Sequence, residues 1–288
     1  TFITPLFSRG SYEDKPEIRP PSIRGQLHWW FRALGGEAFG ENAIFGSVHS
    51  KPVLASKIVV RVGNIRGNTK AAPTLPHKSV NESAEKQAYL AGASFDLYLT
   101  ERLGGLKESQ RKAFRRTLEA WLLAGTLGLR GTRASGSFTW NSLSEDGITM
   151  PDTAEEYVKR IGEIFNNAPL KVLLLKQSFK TAEDARICIS DTIGGPRGIS
   201  DWTDLANAHW PLGNVKAGQQ GRDCPSAPKR KTSPLRFRIV LLGDKFYIVA
   251  IWDNRSDVTG NHSTDFDSII KLLQNRNKKI GQALGNTY

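Results

Sequence analysis

The segment RPPSIRGQLHWWFRALGG, residues 19–36, combines two adjacent tryptophans with three arginines. Arg24, His28 and Arg32 recur every four residues, so they share one flank of a predicted helix. Trp29 lies nearly opposite the apolar stripe of that helix. An outward indole between arginines could stack on a nucleobase, a contact worth about 1–3 kcal/mol. A covering second domain is the alternative explanation for its position.

The residues before this helix predict a seat for phosphate. A Ser–Ile–Arg–Gly turn, with Ser22, Arg24 and Gly25, would present backbone N–H groups at the positive end of the helix dipole. Arg19 would add positive charge beside the turn. Because serine and glycine are common at helix N-termini, the phosphate-binding prediction is supported mainly by the arginines around the turn.

A second candidate site is the glycine-rich stretch LAGTLGLRGTRASGSFTW, residues 123–140. Glycines allow close approach of the backbone to a ligand, and arginines can bind phosphate through two donors. The stretch follows a predicted helix, so it is not a dinucleotide-binding fingerprint, which follows a strand. The predicted ligand-facing residues are Gly128, Arg130, Gly131, Arg133 and Ser135.

A third candidate is the basic segment 216–234, which contains a single acidic residue, Asp223. Such a segment would give a salt-dependent, sequence-independent affinity for a phosphate backbone. Its basic residues are Lys216, Arg222, Lys229, Arg230 and Lys231, and we expect the last three to bind RNA.

The whole chain is basic as well. Its 288 residues include 40 Lys and Arg against 28 Asp and Glu, a net charge of +12. This surplus raises the local concentration of polyanions, with nucleic acid as the first expected partner and an anionic membrane surface as the second. An ordinary basic protein without such a partner is the alternative.

Metal and cofactor chemistry is poorly supported. Two cysteines and five histidines show no metal-ligand spacing, and no nucleotide-binding or nucleophile-elbow motif occurs. We expect no metal, no small-molecule cofactor and no membrane span, and the free cysteines suit a reducing cytoplasm. One enzymatic hypothesis is metal-free RNA cleavage with His28 as general acid or base.

Alternating strands and helices would position the first two candidate sites. Residues 1–7, 56–62, 94–100 and 135–140 are predicted strands, and helices are predicted after the first and third of them. The order β-α-β-β-α-β is that of a ferredoxin-like unit. Residues 63–92 are predicted to be a long polar excursion.

The second half is less regular and could be a degraded copy of the same unit. A helix is predicted over 155–165 with Val158, Ile161, Ile164 and Phe165 inside. Strands are predicted at LKVLLLKQSF and at ARICIS, where Cys188 would be a small buried residue. LRFRIVLLGDKFYIVAIW is predicted to be a hairpin turning at Gly243, and a helix from Phe266 to about Leu273 would end the fold.

Four motifs occur in a fixed order: TPLFSRG, EIRPPSIRGQLHWWFRAL, IFGS and LGLRGTRASGSF. Together they resemble the RAMP proteins of CRISPR systems, and most closely the family of first subunits of the Cmr (type III-B) effector complex. The resemblance is strong over residues 4–47 and 117–139. A weaker likeness covers residues 229–252.

This resemblance implies an α+β fold of two ferredoxin-like (RRM-like, βαββαβ) domains. They would be residues 1–150 and residues 151–288, the second irregular and carrying a basic insertion. It also implies a non-catalytic, RNA-binding subunit of a ribonucleoprotein in antiviral defence. Its partners would be the 3′ region of the guide (CRISPR) RNA, the paired target RNA and other Cmr/RAMP subunits.

Cleavage is not expected from the resemblance, because the catalytic aspartate of the related backbone subunit follows the first helix. The corresponding residues 36–57 contain no aspartate here. Two alternatives remain: a RAMP-type guide-RNA-processing endoribonuclease using His28, and a scaffold whose basic faces bind acidic partner subunits.

Overall fold

The computed structural model describes residues 1–12, 14–76, 85–194, 233–253, 255 and 263–283. The helices are α1 Pro20–Ala33, α2 Ala38–Phe45, α3 Glu108–Ala124, α4 Ala154–Ile164, α5 Ala182–Gly194 and α6 Ser263–Ala283. The strands are β1 Ile58–Arg66, β2 Thr69–Pro73, β3 Glu85–Tyr89, β4 Ser94–Glu101, β5 Lys171–Phe179, β6 Leu235–Leu242 and β7 Lys245–Trp252.

The first half has the predicted ferredoxin-like connectivity. Strands β1 and β4 pair antiparallel, and Phe2 forms an antiparallel bridge with Phe138. The backbone of Phe2 also bonds to Gly92 and Ala93, just before β4. The segment around Phe138, the segment around Phe2, β4 and β1 therefore lie side by side. They correspond to the fourth, first, third and second strands of a βαββαβ unit, which is the strand order of the ferredoxin-like fold.

The first and last predicted strands of this unit are reduced to isolated bridges. Pro5 has no N–H to donate, and Gly136 turns the chain at φ +66°. The Thr4 hydroxyl replaces ladder bonds by accepting from the Ser137 N–H at 2.9 Å and donating to the Ala134 carbonyl at 2.7 Å. The predicted excursion over residues 63–92 is also more regular than expected, because it contains the β2–β3 hairpin.

The second half contains a three-stranded antiparallel sheet in the order β5-β7-β6. Helix α5 follows β5, and α6 follows β7. The described residues therefore supply strands one to three and both helices of a second ferredoxin-like unit, as predicted for an irregular copy. The predicted β6–β7 hairpin is confirmed, with Gly243 at φ +59°.

Three predictions in this half are wrong in detail. ARICIS is part of α5, whose start is capped by the Thr181 hydroxyl accepting from the Asp184 N–H at 3.1 Å. Cys188 is buried as expected, but from this helix. In α4, Ile161 is buried as expected, whereas Val158 is 41% exposed. Helix α6 is also longer than the predicted 266–273.

The two halves share one hydrophobic core. The predicted stripe of α1 is buried, including Leu27 and Trp30, and it belongs to the same cluster as Tyr157 of α4 and Val249 of β7. A smaller core lies on the other face of the β5-β7-β6 sheet, against α5 and α6. The predicted domain division at residue 150 stays a prediction, because the packing is continuous across it.

Arg238 of β6 strengthens this junction. Its buried guanidinium donates to the carbonyls of Trp121, Leu122 and Gly125 at the end of α3, and to Phe138. Burial lowers its pKa to about 10. The exposed carbonyls of a helix C-terminus are the partial negative charge that suits this cation.

Candidate nucleic-acid interface

The glycine-rich loop between α3 and residue 136 packs directly on the N-terminal segment, residues 1–7. Gly128 has φ +80°, and a Cβ there would lie 2.5 Å from the Phe7 carbonyl oxygen. The neighbouring Leu129 N–H donates to the same oxygen at 2.7 Å. Glycine is required here because both the backbone conformation and the close approach exclude a side chain.

Arg130 and Arg133 occupy the turn that follows. The Arg133 N–H donates to the Arg130 carbonyl at 2.9 Å, and Arg130 itself has φ +61°. Arg133 is partly buried, and burial together with the charge of Arg130 lowers its pKa to about 10. Among the described residues, neither guanidinium has a carboxylate partner. Two neighbouring cations without a counter-ion favour binding of an anion.

The rest of the loop is structural rather than ligand-facing. Ser135 is buried, and its hydroxyl accepts from Arg186 Nη2 at 3.1 Å, so its predicted place on the wall of a groove is wrong. A Cβ at Gly131 would lie 2.5 Å from Thr126 Oγ1, which again indicates tight packing.

Arg186 of α5 was missed by the sequence analysis. Its buried guanidinium also lies 3.4 Å from the Thr74 carbonyl oxygen and 5.7 Å from the centre of the Phe7 ring. It therefore contacts the β2–β3 pair, the N-terminal segment and the glycine-rich loop. The available signal was the capping pattern of Thr181 and Asp184, which predicts a helix at this point.

A cleft of about 360 Å³ opens beside the loop. Its walls come from the end of the N-terminal segment, from β3 and from the glycine-rich loop. Arg9 and Lys86 add two basic side chains to those walls. The lining residues are Phe7, Ser8, Arg9, Lys86, Gln87, Gly128 and Leu129.

The predicted phosphate-binding turn before α1 is not present. Helix α1 begins at Pro20, so Ser22 and Gly25 lie within its first two turns. Prolines have no N–H, and the Ser22 N–H donates to the Arg19 carbonyl at 3.0 Å. The backbone donors on which the prediction depended are therefore absent or used.

The basic flank of α1 contacts α2 instead of lining an open groove. The Arg24 guanidinium donates to the Phe45 carbonyl at the end of α2. Glu41 Oε1 lies 2.6 Å from His28 Nδ1 and 2.9 Å from Arg32 Nη1. These contacts fix α2 against α1, and the buried Glu41 that organises them was not predicted.

Trp29 does not point freely into solvent. Its ring packs against the main core, and the Arg236 guanidinium lies 4.1 Å from the ring centre. Burial lowers the pKa of Arg236. A residue from the second half of the chain therefore covers this indole, in agreement with the alternative stated from sequence.

Both predicted sets of residues meet the same strand, β6. Arg236 contacts Trp29, and the N–H of the next residue, Phe237, donates to the Thr132 carbonyl in the loop at 3.1 Å. Within the described ranges, no hydrogen bond or ion pair joins the α1 flank directly to the loop. The predicted single groove is thus two surfaces linked through β6.

Three predicted RNA-binding residues, Lys229, Arg230 and Lys231, lie outside the described residues. In the part of the chain that is described, no cluster of three His, Cys, Asp or Glu residues could hold a metal ion. No helix in that part is long and apolar enough to cross a membrane.

Residues 1–139 match the model of the RAMP superfamily. A relative from Pyrococcus furiosus, the CRISPR system Cmr subunit Cmr1-2, is 43% identical over 75 residues, covering 22% of this chain and 40% of the relative. Another, Cmr1-1 of the same organism, is 28% identical over 281 residues, covering 81% of this chain and 79% of the relative. The chain thus matches less than half of the length of the first and most of the second.

Solved structures agree at the level of the fold. The apo crystal structure of Cmr1 from Pyrococcus furiosus has a TM-score of 0.58 and 22% identity, with 94% of each chain covered. A chain of the type III-B Cmr-beta complex, bound to cognate target RNA, has a TM-score of 0.54 and 11% identity, with coverage of 87% and 92%. The chain is thus similar to the RAMP superfamily over residues 1–139, just under half of its length, and it shares the fold of Cmr1 over most of its length.

Proposed function

We propose that this protein is a non-catalytic, RNA-binding subunit of a type III-B (Cmr) CRISPR effector complex. Its relatives are named as Cmr subunits, and a structure with the same fold is part of a Cmr complex bound to target RNA. From the family resemblance, we assign it to the 3′ region of the guide RNA and the paired target RNA, beside other RAMP subunits.

The observation that carries the proposal is the pair Arg130 and Arg133 in the glycine-rich loop. A charged guanidinium that is partly withdrawn from water loses favourable hydration, so its charged form is destabilised unless an anion approaches it. The lowered pKa of Arg133 reflects this loss. Two successive RNA phosphates beside the two side chains would compensate both charges, and the adjacent cleft with Arg9 and Lys86 would extend the contact along the backbone.

Such a surface would bind RNA largely independently of its sequence. Guanidinium and ammonium groups contact phosphate oxygens, which position a nucleic acid without identifying its bases. This suits a subunit that must hold many different guide sequences.

A second candidate function, guide-RNA cleavage with His28, is favoured by one contact. A carboxylate on one imidazole nitrogen is the arrangement that orients a general base, and Glu41 provides it at 2.6 Å. However, Glu41 also binds Arg32, and the His28 ring packs at 4.5 Å from Phe45. These contacts serve the α1–α2 junction equally well.

The test measures binding and integrity of a labelled single-stranded RNA, in the presence of a chelator, across a series of salt concentrations. We compare wild type with Arg130→Gln/Arg133→Gln and with Arg102→Gln, which removes an exposed charge after β4. Loss of two phosphate contacts should weaken binding about tenfold or more at low salt. It should also reduce the slope of log K against log salt by about 1.4, because each phosphate contact of a single strand contributes about 0.7, whereas Arg102→Gln should change the slope little.

The same experiment separates the alternatives. Cleavage that His28→Ala abolishes, with binding retained, would replace the proposal by the nuclease. Absence of RNA binding by wild type at every salt concentration, with tight binding of acidic partner subunits, would favour a scaffold. An effect of Arg102→Gln half as large as that of the double loop variant would show that binding depends only on total charge.

A further inference from the structure

Strand β5 forms an outer edge of the described sheet. In a complete βαββαβ unit the first strand lies inside the sheet, because the fourth strand pairs along its outer side. Here β5 takes the place of the first strand, and the order β5-β7-β6 leaves that side without a strand among the described residues. The opposite edge is covered, since the N–H groups of Phe237 and Ile239 donate to Thr132 and Ser137.

A groove of about 800 Å³ runs along the first part of β5, beside Lys171–Leu174. Helix α4 forms one wall with Ile161 and Phe165, and α6 forms the other with Ile270. The two helices belong to the cores on opposite faces of the sheet. The space between them is therefore an extension of the sheet plane, which is where an added strand would lie.

The α4 wall is apolar, and one of its side chains is exposed. Val158 lines the groove and is 41% exposed, although its place in the helical pattern predicts a core residue. Gly162, one turn later, has no atom within 4 Å of an added Cβ. An apolar face of this kind is stabilised when another chain removes it from water.

Farther along β5, the edge is already occupied by a side chain. The N–H of Lys176 donates to Oδ1 of the buried Asn277 of α6 at 2.7 Å. Among the described residues, no strand pairs with the edge beside Lys171–Leu174, so this part of β5 can receive an added strand.

Charge indicates what that segment carries. Lys171 and Lys271 are exposed on the rim, whereas Asp267, partly buried, is the acidic residue among the lining groups. Edge lysines disfavour pairing between like chains, and the net charge of +12 disfavours a second copy of this chain. Electrostatic complementarity instead favours a partner strand flanked by acidic residues.

We propose that the β5 edge binds an extended segment of a partner protein as an added antiparallel or parallel strand. That segment has alternating apolar side chains and acidic flanks. Backbone hydrogen bonds to β5 supply affinity, and the apolar walls of α4 and α6 select the alternating side chains. This surface is separate from the glycine-rich loop, so it goes beyond the proposed RNA binding.

The first measurement is amide hydrogen exchange in the full-length protein without partners. Amides of Lys171–Leu174 that point away from β7 should exchange at least tenfold faster than the central amides of β7. A labelled peptide, EEVTVTVEE, is then added as the probe. It should slow exchange along β5, and a control peptide with proline at its centre, EEVTPTVEE, should bind at least tenfold more weakly because proline cannot complete the ladder.

Variants then locate the site. Gly162→Trp should fill the groove and weaken peptide binding at least tenfold, while Gly162→Ala, which meets no neighbouring atom, should leave it unchanged. Lys171→Glu/Lys271→Glu should weaken it at low salt. RNA binding by Gly162→Trp should equal that of wild type, which reports a folded protein and separates this proposal from the RNA proposal.

Four results would overturn the proposal. Slow exchange along β5 in the protein alone would show that this chain, or a second copy of it, already covers the edge. Failure of the alternating peptide to bind, or equal binding of the proline peptide, would show that no strand is added. Unchanged binding by Gly162→Trp would place the peptide elsewhere.

Discussion

Arginines serve three different purposes in this molecule, although their sequence contexts look alike. Arg238 is fully buried and binds backbone carbonyls. Arg24 and Arg32 attach α2 to α1. Arg130 and Arg133 have no carboxylate partner among the described residues, so they stay available for an anion. Composition predicts a polyanion partner, but only burial and contacts separate the binding arginines from the structural ones.

The backbone of Arg130 provides a test of this distinction. Its φ of +61° is unfavourable for a residue with a side chain, so Arg130→Gly should raise the free energy of unfolding by about 0.5–1 kcal/mol. The same substitution should weaken RNA binding several-fold because a phosphate contact is lost. Urea denaturation and RNA titration measure the two effects.

Ala134→Gly is the matched control, since Ala134 also has a positive φ, of +60°, and carries no charge. It should leave RNA affinity unaltered, whereas its stability gain from the relaxed backbone should be offset by the loss of a methyl group buried in the core. If Arg130→Gly retained full affinity, the loop arginine would not contact RNA.

At the scale of elements, sequence patterns were reliable where periodicity was long and weaker where tertiary contacts decided. The apolar stripe of α1 and the β6–β7 hairpin were predicted correctly. The start of α1 was placed too late because Pro20 opens the helix, a position that proline favours. ARICIS was taken for a strand because its short apolar alternation fits either period. Its capping residues lie upstream and were overlooked.

The cap of α5 therefore has a measurable role. Thr181→Ala removes the hydroxyl that accepts from the Asp184 N–H, and it should lower the free energy of unfolding by about 1 kcal/mol. Thr181→Ser keeps the acceptor and should restore most of that loss. Urea denaturation of the three proteins checks the prediction, and an unchanged midpoint for Thr181→Ala would mean that the cap contributes nothing.

At the scale of the whole molecule, the repeated ferredoxin-like plan could be predicted, whereas the way the halves join could not. Strand order follows from the sequence of elements. The junction depends on Arg238. The sequence RFRIV of the hairpin shows this arginine only as a polar residue between two apolar ones and does not predict its buried contacts. Its long-range partners at the end of α3 lie more than 100 residues earlier in the chain. Local periodicity contains no information about such a contact.

This junction makes a strong prediction about stability. Arg238→Met keeps much of the side-chain volume but leaves the carbonyls of Leu122, Gly125 and Phe138 without their donor in the core. Unsatisfied buried groups of this kind should lower the free energy of unfolding by about 3–5 kcal/mol. Denaturant unfolding followed by tryptophan fluorescence measures the loss.

Lys245→Met, at the exposed turn of the same hairpin, removes one positive charge without removing a buried contact. It should change the free energy of unfolding by less than about 0.5 kcal/mol. A similarly small change for Arg238→Met would mean that apolar packing alone holds the halves together. A large loss for Arg238→Met alone would instead make this guanidinium the polar link between α3 and β6, and would explain why a cation without a carboxylate partner among the described residues is kept in the core.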